Sequence, residues 1–249
     1  EVTPALYEEP GLGWLRSFPG GLITICGLTY AGAPCVDEGK PLGLHGRFSS
    51  TPASNVWVDG EWEGDEYRMW ASGKVRESVL FGENVLLKRS VSALLGQNRF
   101  WIDDVVVNEG AATTPHMILY HINGGFPAVD AGSVLVSPTL SARPRDADAE
   151  VDKEHYYLND SPTRGFRERC YYHEMAPDSE GFVYTALINK NMPDGGQFGF
   201  YVRYRHAELP KFTQWKMNGE REYVVGMEPA NCWVEGRDKE RARGTLQFL

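Results

Sequence analysis

Three short segments place ionisable side chains where the pattern of the chain predicts strand ends or turns. YHINGGFP puts His121 between the apolar run PHMILY and a glycine pair, so we expect it where a β-strand ends. GLHGRFSSTPASN holds His45 and Arg47 in a glycine-flanked turn. YVVGMEPANCWVEG places Glu228 at the end of a hydrophobic strand that Pro229 stops.

These residue types are suited to proton transfer. A carboxylate at the end of an apolar strand is partly desolvated, which raises its pKa toward the range of a general base. A histidine with a pKa near 6.5 can give or take a proton near neutral pH. Each residue also has a structural interpretation: His121 could hydrogen-bond a turn, Arg47 could pair with a surface acid, and Glu228 could be a solvated acid.

The composition narrows the class of partner. The formal net charge is −9, and no five Lys or Arg residues cluster, so a nucleic-acid groove is disfavoured. A neutral substrate fits this balance best. No run approaches the length of about 18 apolar residues that spans a membrane, and the first residues do not resemble a signal peptide. We therefore expect a cytoplasmic protein that binds neither nucleic acid nor membrane.

The four cysteines match no zinc or redox spacing, and disulfide frameworks matter most in smaller secreted domains. We expect them to be reduced and structural. They are Cys26, Cys35, Cys170 and Cys232.

Most of the chain reads as short β-branched and aromatic runs bounded by Gly, Asn, Asp or Pro. The segment VRESVLFGENVLLKRSVSALLGQNRFWIDDVVVNEG predicts a meander with turns at GEN and GQN. A helical period is visible only around Pro10 to Arg16, and the charged segment from Arg143 to Cys170 is predicted to be a long surface loop. These features favour one all-β domain, a large sandwich or barrel.

Taken together and in order, three segments resemble the aldose 1-epimerase (galactose mutarotase-like) superfamily, and more closely its bacterial aldose 1-epimerase-like, DUF4432-like branch. They are LHGRFSSTPA, YHINGGFP and WKMNGEREYVVGMEPANCWVEGR. The resemblance implies a galactose mutarotase-like β-supersandwich of antiparallel strands with a sugar site in an open cleft. It implies a single domain over residues 1–249, either a fragment or a shortened member, since the family normally has further strands ahead of Gly11.

The resemblance also implies an activity and residue roles. We expect an isomerase that interconverts sugar anomers, with His121 as general acid and Glu228 as general base. His45 would contact the sugar near the anomeric centre, and Arg47, which directly follows LHG here, is a candidate sugar ligand. The polar and aromatic residues nearest the motifs complete the substrate-binding candidates: Asn123, Phe126 and Asn231. No metal or organic cofactor is expected, and the partner is a small-molecule sugar.

Besides a glycosidase or lyase that acts through the same His–Glu pair, two other functions remain open. One is a carbohydrate-binding module on the same fold, which would need neither an acid nor a base. The other is a metal-dependent sugar isomerase that uses His45, His121 and Glu228 as ligands, although the H-x-H spacing common in such barrels is absent. Neither the sugar, free or phosphorylated, nor the oligomeric state follows from the sequence.

Overall fold

The structure, a computed structural model, describes residues 11–18 and 20–249. Antiparallel strands dominate it, which confirms the all-β prediction. The strands are β1 Ile23–Leu28, β2 Cys35–Asp37, β3 Lys40–Leu42, β4 Ser54–Glu63, β5 Glu66–Ser78, β6 Asn84–Leu94, β7 Phe100–Asn108, β8 Pro115–Gly124, β9 Val134–Val136, β10 Thr139–Pro144, β11 Arg169–Met175, β12 Phe182–Asn189, β13 Phe198–Arg205, β14 Lys211–Gly219, β15 Glu222–Ala230 and β16 Gln247–Phe248. The helices are α1 Trp14–Ser17, α2 Ala147–Glu150 and α3 Arg237–Arg243, and 3-10 turns lie at Phe48–Ser50 and Lys153–His155. Within the described residues, no helix has the length and apolar character needed to cross a membrane.

A seven-stranded sheet forms the centre of the molecule, in the order β1-β8-β15-β14-β11-β10, with β16 paired to the start of β8. Its strands bury residues on both faces, because each face is covered by another layer. Side chains alternate between the faces of a strand, so the pairing register decides which residues meet. Thr24 pairs with His121, and Thr213 pairs with Glu228.

The two faces of this sheet pack against different layers. On the first, which we call the site face because it carries His121 and Glu228, apolar residues pack under the segments that hold α1 and the β2–β3 hairpin; they include Trp14, Cys26, Tyr30, Leu119, Tyr172 and Ala230. On the opposite face, they pack against the three-stranded sheet β13-β12-β9; these include Ile122, Val183, Leu187, Phe212 and Met227.

The strands β4 to β7 form a separate four-stranded meander. The predicted turns at GEN and GQN are confirmed, since they join β5 to β6 and β6 to β7. Glu77 of β5 ties the meander to the central sheet: its Oε2 accepts from the Leu28 backbone N–H at 2.6 Å, and its Oε1 from the Thr29 hydroxyl at 2.5 Å.

The segment from Arg143 to Cys170 is more ordered than predicted. β10 continues through Pro144, α2 begins at Ala147, and β11 starts at Arg169. The charged residues that suggested a loop are used locally: Asp146 caps α2 by accepting from the Ala149 N–H at 3.1 Å. The predicted helical turn is present as α1, while Pro10 lies outside the described residues.

Two strands run further than predicted, so neither His121 nor Glu228 ends its strand. β8 continues to Gly124, where a Cβ would lie 2.4 Å from Leu187 Cδ1; the glycine admits the neighbouring sheet rather than ending the strand. β15 continues through Pro229, and its pairs with β8 go from Met227–Ile122 directly to Ala230–Leu119. Proline lacks an N–H for the ladder, and this gap lies beside Glu228.

All four cysteines are free, as predicted. Three are buried and Cys35 is half-buried, so they belong to the packing of the fold.

Candidate active site

His121 and Glu228 face each other across the β8–β15 pair. His121 Nε2 lies 3.1 Å from Glu228 Oε1, and the two side chains are 10% and 2% exposed. The approach is close, but the angle is not that of a hydrogen bond, and both Glu228 Oε1 and His121 Nδ1 are buried without a hydrogen-bond partner. Buried polar groups are normally satisfied, but other buried side chains, such as Tyr204 and Asn218, also have unpartnered atoms. What distinguishes this pair is that two ionisable groups face each other with free atoms.

The space around the pair depends on a glycine. Gly226 precedes Glu228 by two residues and lies on the same face, and a Cβ there would meet Glu228 Oε1 at 2.5 Å and His121 Cε1 at 3.2 Å. Only a residue without a side chain leaves the carboxyl group in its present position. The glycine inside the apolar run VVGMEP is the sequence signal of this arrangement.

His45 joins the pair from the turn after β3, as predicted. Its ring centroid lies 6.0 Å from that of His121 in an edge-to-face arrangement, and its backbone adopts φ 59°. The Gly32 N–H donates to His45 Nδ1 at 3.3 Å, and the His45 N–H donates to the Gly32 carbonyl at 2.9 Å. Burial, reinforced by His121, lowers the pKa of His45 to about 3. A neutral ring that accepts at Nδ1 carries its proton on Nε2 and can donate from there.

Aromatic rings flank the histidines. The Trp215 ring lies 5.6 Å from the His121 ring, and the Trp14 ring 4.9 Å from the His45 ring. Trp14 is fixed by a hydrogen bond from its Nε1 to Ser49 Oγ at 2.9 Å. Trp14 was not predicted as a site residue, because one tryptophan in a short N-terminal segment gives no signal of where it packs.

Glu168 and Arg145, which sequence reasoning also missed, form the charged border of the pair. Glu168 accepts from Trp215 Nε1 at 2.8 Å and from Arg145 Nη2 at 3.0 Å. Both charges act on Glu228. They come from the segment that was predicted to be a surface loop, where spacing along the chain does not show which residues approach the sheet.

Burial shifts the pKa values of both Glu228 and His121. It raises the pKa of Glu228 to about 8, with the Glu168 charge acting in the same direction and Arg145 opposing it. Burial lowers the pKa of His121 to about 4, with the Asn123 amide opposing it. Both shifts favour the neutral forms, so burial opposes the formation of an ion pair in the free protein. This corrects the expectation that His121 titrates near its usual value.

Two hydroxyl groups extend the site across neighbouring strands. Thr213 lies opposite Glu228, and Tyr172 lies opposite Thr213. Their side chains are 1% and 2% exposed, and neither hydroxyl has a hydrogen-bond partner. The row His121, Glu228, Thr213 and Tyr172 thus presents unpartnered polar atoms on one face, as a site for a hydroxyl-rich ligand would.

The comparisons with known proteins identify the family of the chain. The family model described as "Domain of unknown function (DUF4432)" matches residues 1–249. The chain belongs to the DUF4432 family. No curated protein matches the sequence.

A solved structure shows the same fold. It is described as a "putative aldose 1-epimerase" from Klebsiella pneumoniae, and it superposes with a TM-score of 0.91 at 27% sequence identity. The match covers 99% of this chain and 64% of that protein, so the chain spans less than two thirds of its length. The predicted membership in the aldose 1-epimerase-like superfamily is confirmed.

The remaining predicted ligands of this DUF4432 member differ in where they lie. Asn123 is on the site face, and its Nδ2 donates to the Gly21 carbonyl at 3.1 Å and to the His121 carbonyl at 3.2 Å. Arg47 follows His45 by two residues and begins the 3-10 turn, where its carbonyl accepts from the Thr51 hydroxyl at 3.0 Å.

Two predicted ligands are not brought to the pair. Asn231 is 4% exposed, and its amide makes three protein hydrogen bonds: Oδ1 accepts from the Ile118 N–H, while Nδ2 donates to the His116 carbonyl and Gln247 Oε1. It therefore anchors β8 and β16. Phe126 lies beyond the end of β8 and is 65% exposed.

The alternative metal site finds no support in the geometry. Across residues 11–18 and 20–249, no group of three His, Cys, Asp or Glu side chains is arranged to hold a metal ion. His45 directs Nδ1 to the Gly32 N–H, while His121 and Glu228 face each other.

Proposed function

We propose that this protein is an aldose 1-epimerase-like enzyme that interconverts the anomers of a sugar through ring opening. The observation that carries the proposal is the buried His121–Glu228 pair, 3.1 Å apart, misaligned for mutual hydrogen bonding and shifted by burial toward the neutral form of each group. The similarity to the Klebsiella protein supports it.

Ring opening needs one group to take a proton and one to give a proton. Glu228 as carboxylate removes the proton from the anomeric O1 hydroxyl, and His121 as imidazolium protonates the ring oxygen O5. The C1–O5 bond breaks while the C1–O1 double bond forms, which leaves an open-chain aldehyde. After rotation about C1–C2, the same two groups reverse both transfers and close the ring as the other anomer.

The resting protonation state fits this cycle with one added step. In the free protein burial favours the neutral forms of both groups, so Glu228 must lose a proton and His121 must gain one before the cycle begins. A bound sugar brings hydroxyl groups into the buried site, and polar groups there favour the ion pair over two neutral side chains.

The other groups of the site bind the sugar in this scheme. His45 donates from Nε2 to an oxygen near the anomeric centre, and Thr213 and Tyr172 hydrogen-bond the ring hydroxyls. The Trp215 ring provides an apolar surface for a sugar face. No metal or redox cofactor is needed, because the reaction moves only protons.

Anomer exchange measured by NMR saturation transfer tests the proposal. We would compare the parent protein with His121→Ala and Glu228→Gln across a panel of aldoses. We expect exchange above the buffer rate for at least one sugar, and a loss of about 10²- to 10⁴-fold in each variant, the range that one acid or base typically contributes.

The matched control is His173→Gln. His173 is 1% exposed, burial lowers its pKa to about 4, and it lies on the opposite face of the same sheet. Exchange per folded molecule should be unchanged in this variant. The proposal is wrong if no aldose exchanges faster than in buffer, or if sugars bind, as seen by line broadening, without any acceleration.

A further inference from the structure

A basic and aromatic cluster lies on the site face, and the proposed mechanism uses only its Tyr172 hydroxyl. The Arg143 guanidinium lies 4.5 Å from the Tyr172 ring centroid and 5.5 Å from the Trp233 ring centroid. Lys211 Nζ lies 5.0 Å from the same Trp233 ring. The two rings are 4.7 Å apart, so two cations converge on one aromatic pair.

This cluster continues the row that begins at the His121–Glu228 pair. Arg143 pairs with Tyr172 in the register, and Tyr172 pairs with Thr213. Lys211 lies two residues before Thr213 on β14 and therefore on the same face. With strands about 4.8 Å apart and a rise of about 3.4 Å per residue, the Lys211 α-carbon lies about 8 Å from that of Glu228. That separation suits a ligand that reacts at one end and is held at the other.

The two cations lack acidic partners, unlike the neighbouring basic residues. Arg145 is paired with Asp146 and Glu168. Among the residues that the structure describes, neither Arg143 nor Lys211 has a carboxylate oxygen within 4.0 Å. Two like charges brought to one ring pair repel each other, and an anion between them would relieve that repulsion.

The hydroxyl groups beside the cluster also lack partners. Tyr172 is 2% exposed with an unpartnered hydroxyl, and Thr213 is 1% exposed with an unpartnered hydroxyl. Glu235, the acid with the largest electrostatic effect on the pKa of Tyr172, forms an ion pair with Arg243 at 2.6 Å. The cluster therefore combines two cations with two hydroxyl groups, the usual composition of a site for a carboxylate or phosphate.

We propose that the substrate is an aldose that carries an anionic group distant from its anomeric carbon, either a uronate or a sugar phosphate, and that Arg143 and Lys211 bind this group. The inference rests on the proposed function, because it places the anomeric carbon at His121 and Glu228. This anionic sugar replaces the neutral sugar expected from the net charge of −9. The electrostatic potential at a bound group is set by residues within a few ångströms, because salt screens more distant charges over about 8–10 Å.

The test compares anomer exchange of glucose, glucuronate and glucose 6-phosphate by the parent protein, Arg143→Met and Lys211→Met. We expect the parent to have a higher kcat/KM for one of the two anionic sugars than for glucose, and the anion that is preferred distinguishes a carboxylate from a phosphate site. Each substitution should lower the ratio of kcat/KM for that anion to kcat/KM for glucose by about 10- to 100-fold, the effect of one hydrogen bond to a charged group.

The matched control is Arg203→Met. The Arg203 guanidinium lies 4.5 Å from the Phe182 ring, which the Arg205 guanidinium also approaches, so this is a second pair of cations on one aromatic ring. It lies on β13, in the layer that packs against the opposite face. This variant should keep the parent ratio of kcat/KM for the anion to kcat/KM for glucose. An equal fall of that ratio in Arg203→Met would show that the effect comes from the overall charge of the protein and not from a specific site.

Failure of this inference is distinguishable from failure of the proposed function. Equal efficiency for glucose and both anions in the parent, or an unchanged ratio in both variants, overturns the anionic site while leaving the epimerase intact. If no sugar is exchanged, the proposed function falls, and equilibrium binding of glucuronate and glucose 6-phosphate decides the anionic site. If Lys211→Met and Arg143→Met both weaken this binding, the anionic site is supported. If neither variant changes it, the anionic site is overturned.

Discussion

The two faces of the central sheet each carry a largely buried carboxyl group, and the two groups are partnered in opposite ways. On the opposite face, Asp152 Oδ2 accepts from Nζ of the fully buried Lys216 at 2.8 Å and from Arg169 at 2.7 Å. On the site face, Glu228 is 2% exposed and its Oε1 has no hydrogen-bond partner, although His121 Nε2 lies 3.1 Å away.

The difference separates structural charges from groups available for chemistry. A buried ion is tolerated when it is paired, and removing its partner is strongly destabilising. Buried groups without partners change their pKa instead, and they keep atoms free for a ligand. Lys216 and Trp215 are adjacent on β14 and point to opposite faces, so one strand carries both kinds of environment.

Breaking the ion group on the opposite face should have the largest effect on stability. Asp152→Asn leaves Lys216, which is 0% exposed, without its counterion. We expect the free energy of unfolding to fall by about 3–5 kcal/mol, while the rate of anomer exchange per folded molecule stays at the parent value. Urea denaturation and NMR exchange measured on the same sample check both parts.

Glu63→Gln is the matched control. Glu63 also receives two hydrogen bonds from one arginine, Arg68, at 2.7 and 3.0 Å, but on the exposed meander. Exposed pairs of this kind contribute little. If Asp152→Asn were as mild as Glu63→Gln, or if it abolished exchange in folded protein, the assignment of the two faces would be wrong.

The buried Glu228 of the site face should make the stability of the protein depend on pH. Glu228 has a pKa of about 8 in the folded protein against 4.5 as its ordinary value. The folded state keeps a proton that the unfolded chain releases between these values, so the parent loses stability as the pH rises from about 4.5 to about 8. Glu228→Gln removes this dependence, and its stability relative to the parent should rise through that window by up to about 1.4 kcal/mol per pH unit.

His121 provides the opposite sign in the same measurement. Its pKa is about 4 in the folded protein against 6.5 ordinarily. Between these values the unfolded chain binds a proton that the folded state does not bind, so the parent loses stability as the pH falls from about 6.5 to about 4. His121→Asn should remove that loss. Difference curves that stay flat for both variants would show that neither group is held in its neutral form.

The fold and the central pair could be predicted because their signals are local. Alternation, β-branched runs and turn residues mark the strands from β5 to β8. The resemblance of the three motifs to the aldose 1-epimerase-like superfamily implied that His45, His121 and Glu228 belong to one site. The exact strand ends could not be read in this way. Gly124 and Pro229 are strand breakers by composition, and only the packing of Leu187 against Gly124 and the gap in the β8–β15 ladder show why both are tolerated.

The rest of the site depends on register, which the sequence does not show. Thr213, Tyr172 and Arg143 become neighbours only because β14, β11 and β10 pair in that order. A shift of one residue would turn each of them to the other face. The net charge is a poor guide to the charge of the ligand for a related reason. It is a sum over 249 residues, and it does not show that Arg143 and Lys211 both lie against the Trp233 ring.

The smallest predicted change to the chain tests the space that the site face keeps open. In Gly226→Ala the new Cβ would lie 2.5 Å from Glu228 Oε1, so the carboxyl group must move while the backbone stays. We expect anomer exchange to fall by about 10²-fold, the effect of a displacement of about 1 Å in a reacting group, with little change in the free energy of unfolding.

Gly219→Ala on β14 is the control, since its Cβ would meet only the flexible end of Met217 at 3.1 Å, the Glu222 carbonyl oxygen and the Glu222 side chain. Equal rates in the two variants would mean that the position of the Glu228 carboxyl group does not matter, and that the opening beside it serves packing alone.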